Sequence, residues 1–159
     1  MIFVTVGTHG QQFDRLLEKI DGLIGKKMLE EEVFAQSGNS TYAPKNFLSK
    51  KFLSESEFEE NVKTASLVIS HGGAGAIITA LKYSKKLILV PRLKEFGEHT
   101  DSHQTDLVQF MEANKRALAA LDINDLAKKI TEAKTFAFSK KSGPTGIIHA
   151  LNNFFLVKS

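Results

Sequence analysis

Short apolar runs without polar alternation constrain this chain most. "LVIS" (residues 67–70) and "LILV" (residues 87–90) are too brief for helices, and neither alternates with polar residues. A strand that reads this way is covered on both faces, as in a parallel sheet. "IFVTV" (residues 2–6) is a further β-rich run closed by Gly7, and "VFAQ" (residues 33–36) is closed by the turn residues "SGNS". "RALAAL" (residues 116–121) reads as a strand, and "KNFLSKKFL" can hold another short one. Between these runs lie helix-length segments. Phe13, Leu16, Leu17, Ile20, Leu23 and Ile24 repeat at helical spacing until Gly25 stops them. Ser54 or Ser56 can cap a helix reaching Thr64, with acidic residues in its first turn. "AGAIITALKYS" is a helix. Residues 102–112, with Asp101 as a cap, residues 124–134 and residues 145–155 are the remaining ones. "FAFSKKSGPTG" (residues 136–146) is the longest loop-like stretch. Strands alternating with helices imply βαβ units, and hence an α/β, Rossmann-like, doubly wound parallel sheet.

A chain of 159 residues is the length of one domain, here residues 1–159, with a real core. Apolar content of 42% and charged content of 25% are those of a soluble globular protein. No apolar run reaches the roughly 18 to 20 residues of a membrane span. "MIFVTVGTHG" has neither the basic start nor the cleavage site of a signal peptide. The absence of cysteine excludes disulfides and thiol chemistry and fits a cytoplasmic protein. A net charge of +3 is mild. Its lysines form doublets: Lys26-Lys27, Lys50-Lys51, Lys85-Lys86, Lys128-Lys129 and Lys140-Lys141. These read as solvated element ends, the sharper alternative being attraction to an anionic membrane surface. Nucleic acid is not expected, because aromatic residues are not interleaved with the basic ones.

In a doubly wound sheet, ligands bind at the carboxyl ends of strands. The loops there are "GTHGQQ" (residues 7–12), "SGNS" (residues 37–40) and "SHGGAGA" (residues 70–76). In the last, Gly72, Gly73 and Gly75 let backbone N–H groups approach an anion, and the helix behind adds its positive end. A diphosphate bound this way needs no metal and no side-chain cation. The alternative is tight packing of helix on strand. The glycine spacing is not that of the dinucleotide fingerprint, no acidic residue follows "LILVP", and the Lys-Ser/Thr ending of a P-loop is missing. An oxidoreductase is therefore opposed. His9 is a candidate for donor contact or general base, against a structural role in its loop. His71 sits at the phosphate loop. His103 with Gln104 is a candidate polar pair, against a solvated helix face. His99 is a weaker candidate, and His149 reads as packing. Only His99 and His103 have any metal-ligand spacing, so no metal is expected.

The ordered string "VTVGTHGQQFDRLL…FAQSG…KKFLSESEFEENVKTASLVISHGGAGAIITALKYSKKLILVPR…DSHQTDLVQF" resembles the C-terminal, donor-binding domain of glycosyltransferase family 28 over roughly residues 2–125. It is similar to the PssE-type small subunits of split UDP-sugar transferases. The resemblance implies the donor-binding half of a GT-B fold that uses a UDP-sugar and no cofactor. By position, Gly7 and Thr8 meet the diphosphate, with Ser37 and Gly38 beside them. Phe52 and Leu53 match the step whose backbone reads uracil. His71, Gly72, Gly73, Ala74, Gly75 and Ala76 match the loop and helix start that hold the phosphates. His103 and Gln104 match the pair on the donor sugar. MurG-type members use a helical glutamate for the ribose. This chain has Leu81 at that position, leaving Thr79 as a polar substitute. The implied reaction is inverting transfer of a hexose, galactose or N-acetylglucosamine, to a lipid-linked saccharide, with His9 as a candidate base. A GT-B enzyme needs a second domain. The resemblance supplies it as a membrane-anchored, PssD-type acceptor-binding subunit that recruits this chain to the cytoplasmic membrane face. A non-catalytic nucleotide-sugar-binding or regulatory subunit is the other reading. The residues offered for docking are Ile147, Ile148, Leu151, Phe154, Phe155 and Leu156, since the consecutive Phe154, Phe155 and Leu156 cannot share one helix face.

Overall fold

The apolar runs form a six-stranded sheet in the order β3-β2-β1-β4-β5-β6. The computed structural model describes residues 1–100 and 103–139, and beyond them Gly146, His149, residues 151–154 and Leu156. The strands are β1 Ile2–Thr5, β2 Val33–Gln36, β3 Leu48–Lys50, β4 Leu67–Ser70, β5 Lys86–Leu89 and β6 Leu118–Ala119. Every neighbouring pair is parallel. β1 is held between β2 and β4, with Val4 opposite both Ala35 and Ile69.

Successive residues of a strand point to opposite faces, and both faces are covered. Ile2 and Val4, Leu67 and Ile69, and Ile88 pack with α1 (Asp14–Gly25) and α5 (Leu126–Ala133). Phe3, Val68, Leu87 and Leu89 pack with α2 (Glu55–Thr64), α3 (Ala74–Lys82) and α4 (His103–Ala113). This two-sided burial is why the strands carry no polar alternation.

Several boundaries differ from the sequence reading. Gly25 is the last residue of α1, and the left-handed residue after it is Lys27, at φ 58°. Of the two candidate caps, Ser54 is used. Its hydroxyl accepts from the Glu57 N–H while Glu57 accepts from the Ser54 N–H, a complete capping box. β6 is only two residues long, although Ala117 and Ala120 beside it are fully buried. A 3₁₀ turn, Lys94–Phe96, follows Pro91, and another, Ile123–Asp125, precedes α5. Neither has a periodic signal in the sequence. The expected loop after α5 begins as a packed segment: Phe136 and Phe138 meet edge to face at 4.8 Å and lie against the core. Gly146, His149, residues 151–154 and Leu156 are helical, with Leu151 buried and Phe154 5.3 Å from Phe110. Asp101, Ser102, Lys140, Lys141, Ile147, Ile148 and Phe155 lie outside the described residues.

Two buried or partly buried acids of α1 organise the connection from β2 to β3. Asp14 accepts from the Thr41 and Tyr42 N–H groups and from the Thr41 hydroxyl. Asp21, one face-repeat further on, accepts from the Tyr42 hydroxyl and the Lys45 and Asn46 N–H groups. Burial pushes the Asp21 carboxyl up, but these donors outweigh it and hold it below the usual range. The same balance lowers Asp14.

Candidate functional site

From central β1 the chain passes to β2 on one side and returns to β4 on the other. The loops leaving β1 and β4 therefore part, and a crevice opens at their carboxyl ends. A cleft of about 540 Å³ fills it. Its floor is Thr5, Gly7, His71 and Gly73, and one wall is Leu53, Ser54, Glu55 and Phe58 from the start of α2. Gly75, Ala76 and Thr79 of α3 form the other wall, with Thr8, His9 and Gln104 at the rim.

α3 begins in this cleft. Gly73 is its N-cap and has no side chain to offer. The N–H groups of Ala74, Gly75 and Ala76 donate to no acceptor among the described residues. Open donors and the positive end of the helix dipole together favour an anion.

The glycines here do different work. Gly72 has φ 89°, the left-handed region that favours glycine. A Cβ on Gly73 would overlap the His71 imidazole, and so would one on Gly7. The ring is thus sandwiched between two backbone segments, and these glycines make room for it. Gly75 is the contrast: a Cβ there meets nothing within 4 Å, so its open side faces the cleft. A Cβ on Gly38 would overlap the Gly7 carbonyl, so Gly38 lets the β2 loop pack on the β1 loop.

His71 is 9% exposed, with Nδ1 3.4 Å from the Thr5 carbonyl oxygen. Burial, with the Arg92 guanidinium as a second cause, pushes its imidazolium down to about 4. It is neutral at neutral pH. With Nδ1–H donating to Thr5, Nε2 is left as an acceptor, not as a cation for phosphate.

The sequence reading missed the polar chain beneath the floor. The Thr5 hydroxyl accepts from the Gly7 N–H (3.2 Å) and the Gln36 amide (3.3 Å). Gln36 Oε1 in turn accepts from the Leu53 N–H at 3.2 Å. Strands β1 and β2 and the step before α2 are thereby fixed to one another. It also missed Arg92, which is fully buried. Its Nη1 donates to the Gln11, Gln12 and Glu98 carbonyls and its Nη2 to the Val6 carbonyl. The carboxylate of Glu98 pairs with Arg15 through both oxygens and accepts from the Leu93 N–H. The loops after β1 and β5 are thus one rigid rim. The sequence signals were polar residues ending apolar strands, Thr5 and Gln36, and an Arg directly after Pro91.

Of the other expected site residues, Gln104 lines the cleft, with its Oε1 engaged by the Arg92 N–H at 3.0 Å. His103 lies on the exposed side. With Gly72, Gly73, Ala74, His99 and Gln104 it lines an adjoining cavity of about 220 Å³. His9 stacks on His99, ring centroids 5.0 Å apart. Ser37 and Gly38 lie outside both cavities, where their N–H groups donate to the Lys50 and Lys51 carbonyls. Phe52 is 43% exposed beside the cleft, and its N–H and C=O make no hydrogen bond among the described residues. Leu81 of α3 is half-buried, packs against the core and does not line the cleft, whereas Thr79 does. His149 is exposed, with Nδ1 3.1 Å from the Asn153 amide, so it does not pack in the core as expected. No group of three or more His, Asp or Glu among the described residues could hold a metal ion. No helix among them is long and apolar enough to cross a membrane.

The fold is the Rossmann-like domain found in glycosyltransferases of GT-B architecture. The profile of the glycosyltransferase family 28 C-terminal domain matches residues 1–145, and the chain belongs to that family. It is 32% identical over 106 residues to the UDP-N-acetylglucosamine transferase subunit ALG13 of Mus musculus. That match covers 61% of this chain and 9% of the relative. Among solved structures, SnogD of Streptomyces nogalater superposes with a TM-score of 0.61 at 17% identity, over 88% of this chain and 36% of that one. MurG of Acinetobacter baumannii superposes with a TM-score of 0.60 at 14% identity, over 94% of this chain and 49% of that one. The chain thus corresponds to about a third to a half of these two structures and to a small part of its curated relative.

Proposed function

We propose that this chain is the donor-binding subunit of a two-component inverting glycosyltransferase. It moves a hexose, galactose or N-acetylglucosamine, from a UDP-sugar to a lipid-linked saccharide. The observation that carries this reading is the uncapped start of α3 on the floor of the switch-point cleft. Its N–H groups face the place where the leaving diphosphate gathers charge, and fixed donors at that place lower the barrier without reorganising. Gly7 and Thr8 approach the diphosphate from the β1 loop. The unbonded peptide of Phe52 reads the base, and Gln104 and His103 meet the sugar. His9 at the rim is the candidate base. No metal takes part, because open amides and a helix dipole suffice for the diphosphate.

The relative ALG13 is described as a subunit, which supports a partner chain here as well. That partner is a membrane-anchored, PssD-type subunit. It holds the acceptor, closes the second wall of the cleft, and brings this chain to the cytoplasmic membrane face.

Calorimetry with UDP, UDP-galactose, UDP-N-acetylglucosamine and NAD tests the donor site. UDP and one UDP-sugar should bind and NAD should not, with EDTA leaving the affinity unchanged. Failure to bind any uridine nucleotide overturns the reading, and a strict need for Mg²⁺ or Mn²⁺ overturns its metal-free form.

A further inference from the structure

Two backbone segments bring open donors to the cleft. On the loop after β1, the Thr8 N–H donates to no acceptor among the described residues, and at the start of α3 those of Ala74, Gly75 and Ala76 do not either. One side chain is wedged between these segments. A Cβ on Gly7 and a Cβ on Gly73 would both overlap the same two atoms of His71, Cε1 and Nε2. That edge of the ring therefore fills the space between the two backbones. The other edge is anchored. Nδ1 lies 3.4 Å from the Thr5 carbonyl oxygen, and the His71 N–H donates to the same oxygen at 3.3 Å. Neither backbone has slack behind it. A Cβ on Gly38 would overlap the Gly7 carbonyl, and the Gly38 N–H is held by the Lys51 carbonyl at 2.8 Å. Gly73 is the N-cap of α3 and accepts from the Ile77 N–H at 3.1 Å, so it moves only with the helix start. The ring itself offers an anion little. With Nδ1–H on Thr5, Nε2 is a lone pair, and phosphate oxygens are acceptors too. Its width matters instead. Hydrogen bonds weaken steeply as distance and angle depart from the optimum, so a diphosphate bridging both segments is sensitive to the gap between them.

We propose that His71 is a positioning residue: its ring sets the separation of the loop after β1 from the start of α3, and thereby the affinity for a diphosphate that bridges them. This rests on the UDP-sugar reading above. The ring acts through Gly7 and Gly73, as a spacer, and not by touching the ligand.

The test is calorimetry with UDP on the parent, His71→Asn, Gly73→Ala and the double variant, each titrated below its own melting temperature so that only folded protein is compared. Asparagine keeps an amide that can donate to Thr5 but has no atoms in place of Cε1 and Nε2, so it removes only the wedged edge. Gly73→Ala adds a methyl where that edge lies, on a backbone at φ −72° that alanine adopts readily. One widens the gap and the other forces it. Each should bind UDP about tenfold more weakly, the worth of one hydrogen bond to a charged group. In the double variant the methyl occupies the space the ring edge has left, so UDP should bind more tightly than to either single variant. Coupling of that sign is expected where two residues share one contact. A double variant whose loss equals the two single losses combined overturns the proposal, because a ring that touched the phosphates, or served folding alone, would not be replaced by a methyl on Gly73. Single variants that bind UDP like the parent overturn it too, while the donor-site reading stands. If the parent itself binds no UDP, the donor-site reading and this proposal fall together.

Discussion

Gly73 and Gly75, two residues apart, separate a glycine packed against a side chain from one that faces open cleft. Gly75→Val meets open space and replaces a poor helix former, so the protein should melt no lower than the parent. Its side chain would stand where the anion approaches, and UDP should no longer raise the melting temperature. An undiminished shift in that variant would remove α3 from the phosphate site. Gly73→Ala has an ordinary backbone to occupy, at φ −72°, but drives a methyl into a ring that Gly7 prevents from retreating. It should cost about 1–3 kcal/mol, as overpacking does, measured by denaturant unfolding. His71 predicts a pH effect. Its native pKa of about 4 lies below the unfolded value near 6.5, so between these pH values the unfolded chain binds the additional proton. Stability should therefore fall as pH drops from about 6.5 to about 4, by on the order of 3 kcal/mol from this group. Unfolding midpoints at pH 7 and 4.5 should differ less in His71→Gln than in the parent. Equal differences would show that the ring is not held neutral.

At the scale of elements, the connections carry the precision of the site. The wall containing Glu55 starts from the Ser54 capping box, and Gln36 holds Leu53 just before it. Ser54→Ala should cost about 1 kcal/mol and loosen that wall. The segment between β2 and β3 has no periodicity of its own and is clasped to α1 by Asp14 and Asp21. Asp21→Ala leaves the Tyr42 hydroxyl and two N–H groups without their acceptor. It should destabilise the fold by about 2–3 kcal/mol, seen as a lower denaturant midpoint at unchanged slope. A loss under 0.5 kcal/mol would mean that water replaces the carboxylate. A sequence reader sees "DRLLEKID" as an ordinary amphipathic helix. Nothing in it reports that two of its acids serve a segment some 25 positions away.

At the scale of the molecule, one doubly wound sheet presents a cleft with a floor, two low walls and an open top. For the proposed transfer, acceptor positioning and exclusion of water call for a second body over that opening. The described part of the carboxyl-terminal segment divides: Leu151 and Phe154 pack on this chain, while Leu156 is 73% exposed. The purified chain is expected to bind UDP yet transfer no sugar to a lipid-linked acceptor, measured with a radiolabelled donor. On the proposed function, transfer should begin when a membrane-anchored acceptor-binding companion is supplied, and removal of residues 146–159 should abolish that rescue. Efficient transfer by the lone chain would move the acceptor site and the base back onto it.

The sequence by itself determined the architecture. Short two-sided apolar strands separated by amphipathic helices admit little but a doubly wound parallel sheet, and such a sheet puts ligand loops at known strand ends. It also marked His71 and Gly75, because glycine and polar residues between a strand and a helix are local signals, whereas Gln104, inside α4, was marked by the family resemblance. Only the tertiary structure decided what each contributes. Gly7 and Gly73 turn out to face a buried ring, Leu81 faces the core, and the Arg92, Glu98 and Arg15 network locks the loop after β5 to the loop after β1. Most of these contacts join residues far apart in the chain. Their energies depend on burial and on which groups meet, and neither has a local signature.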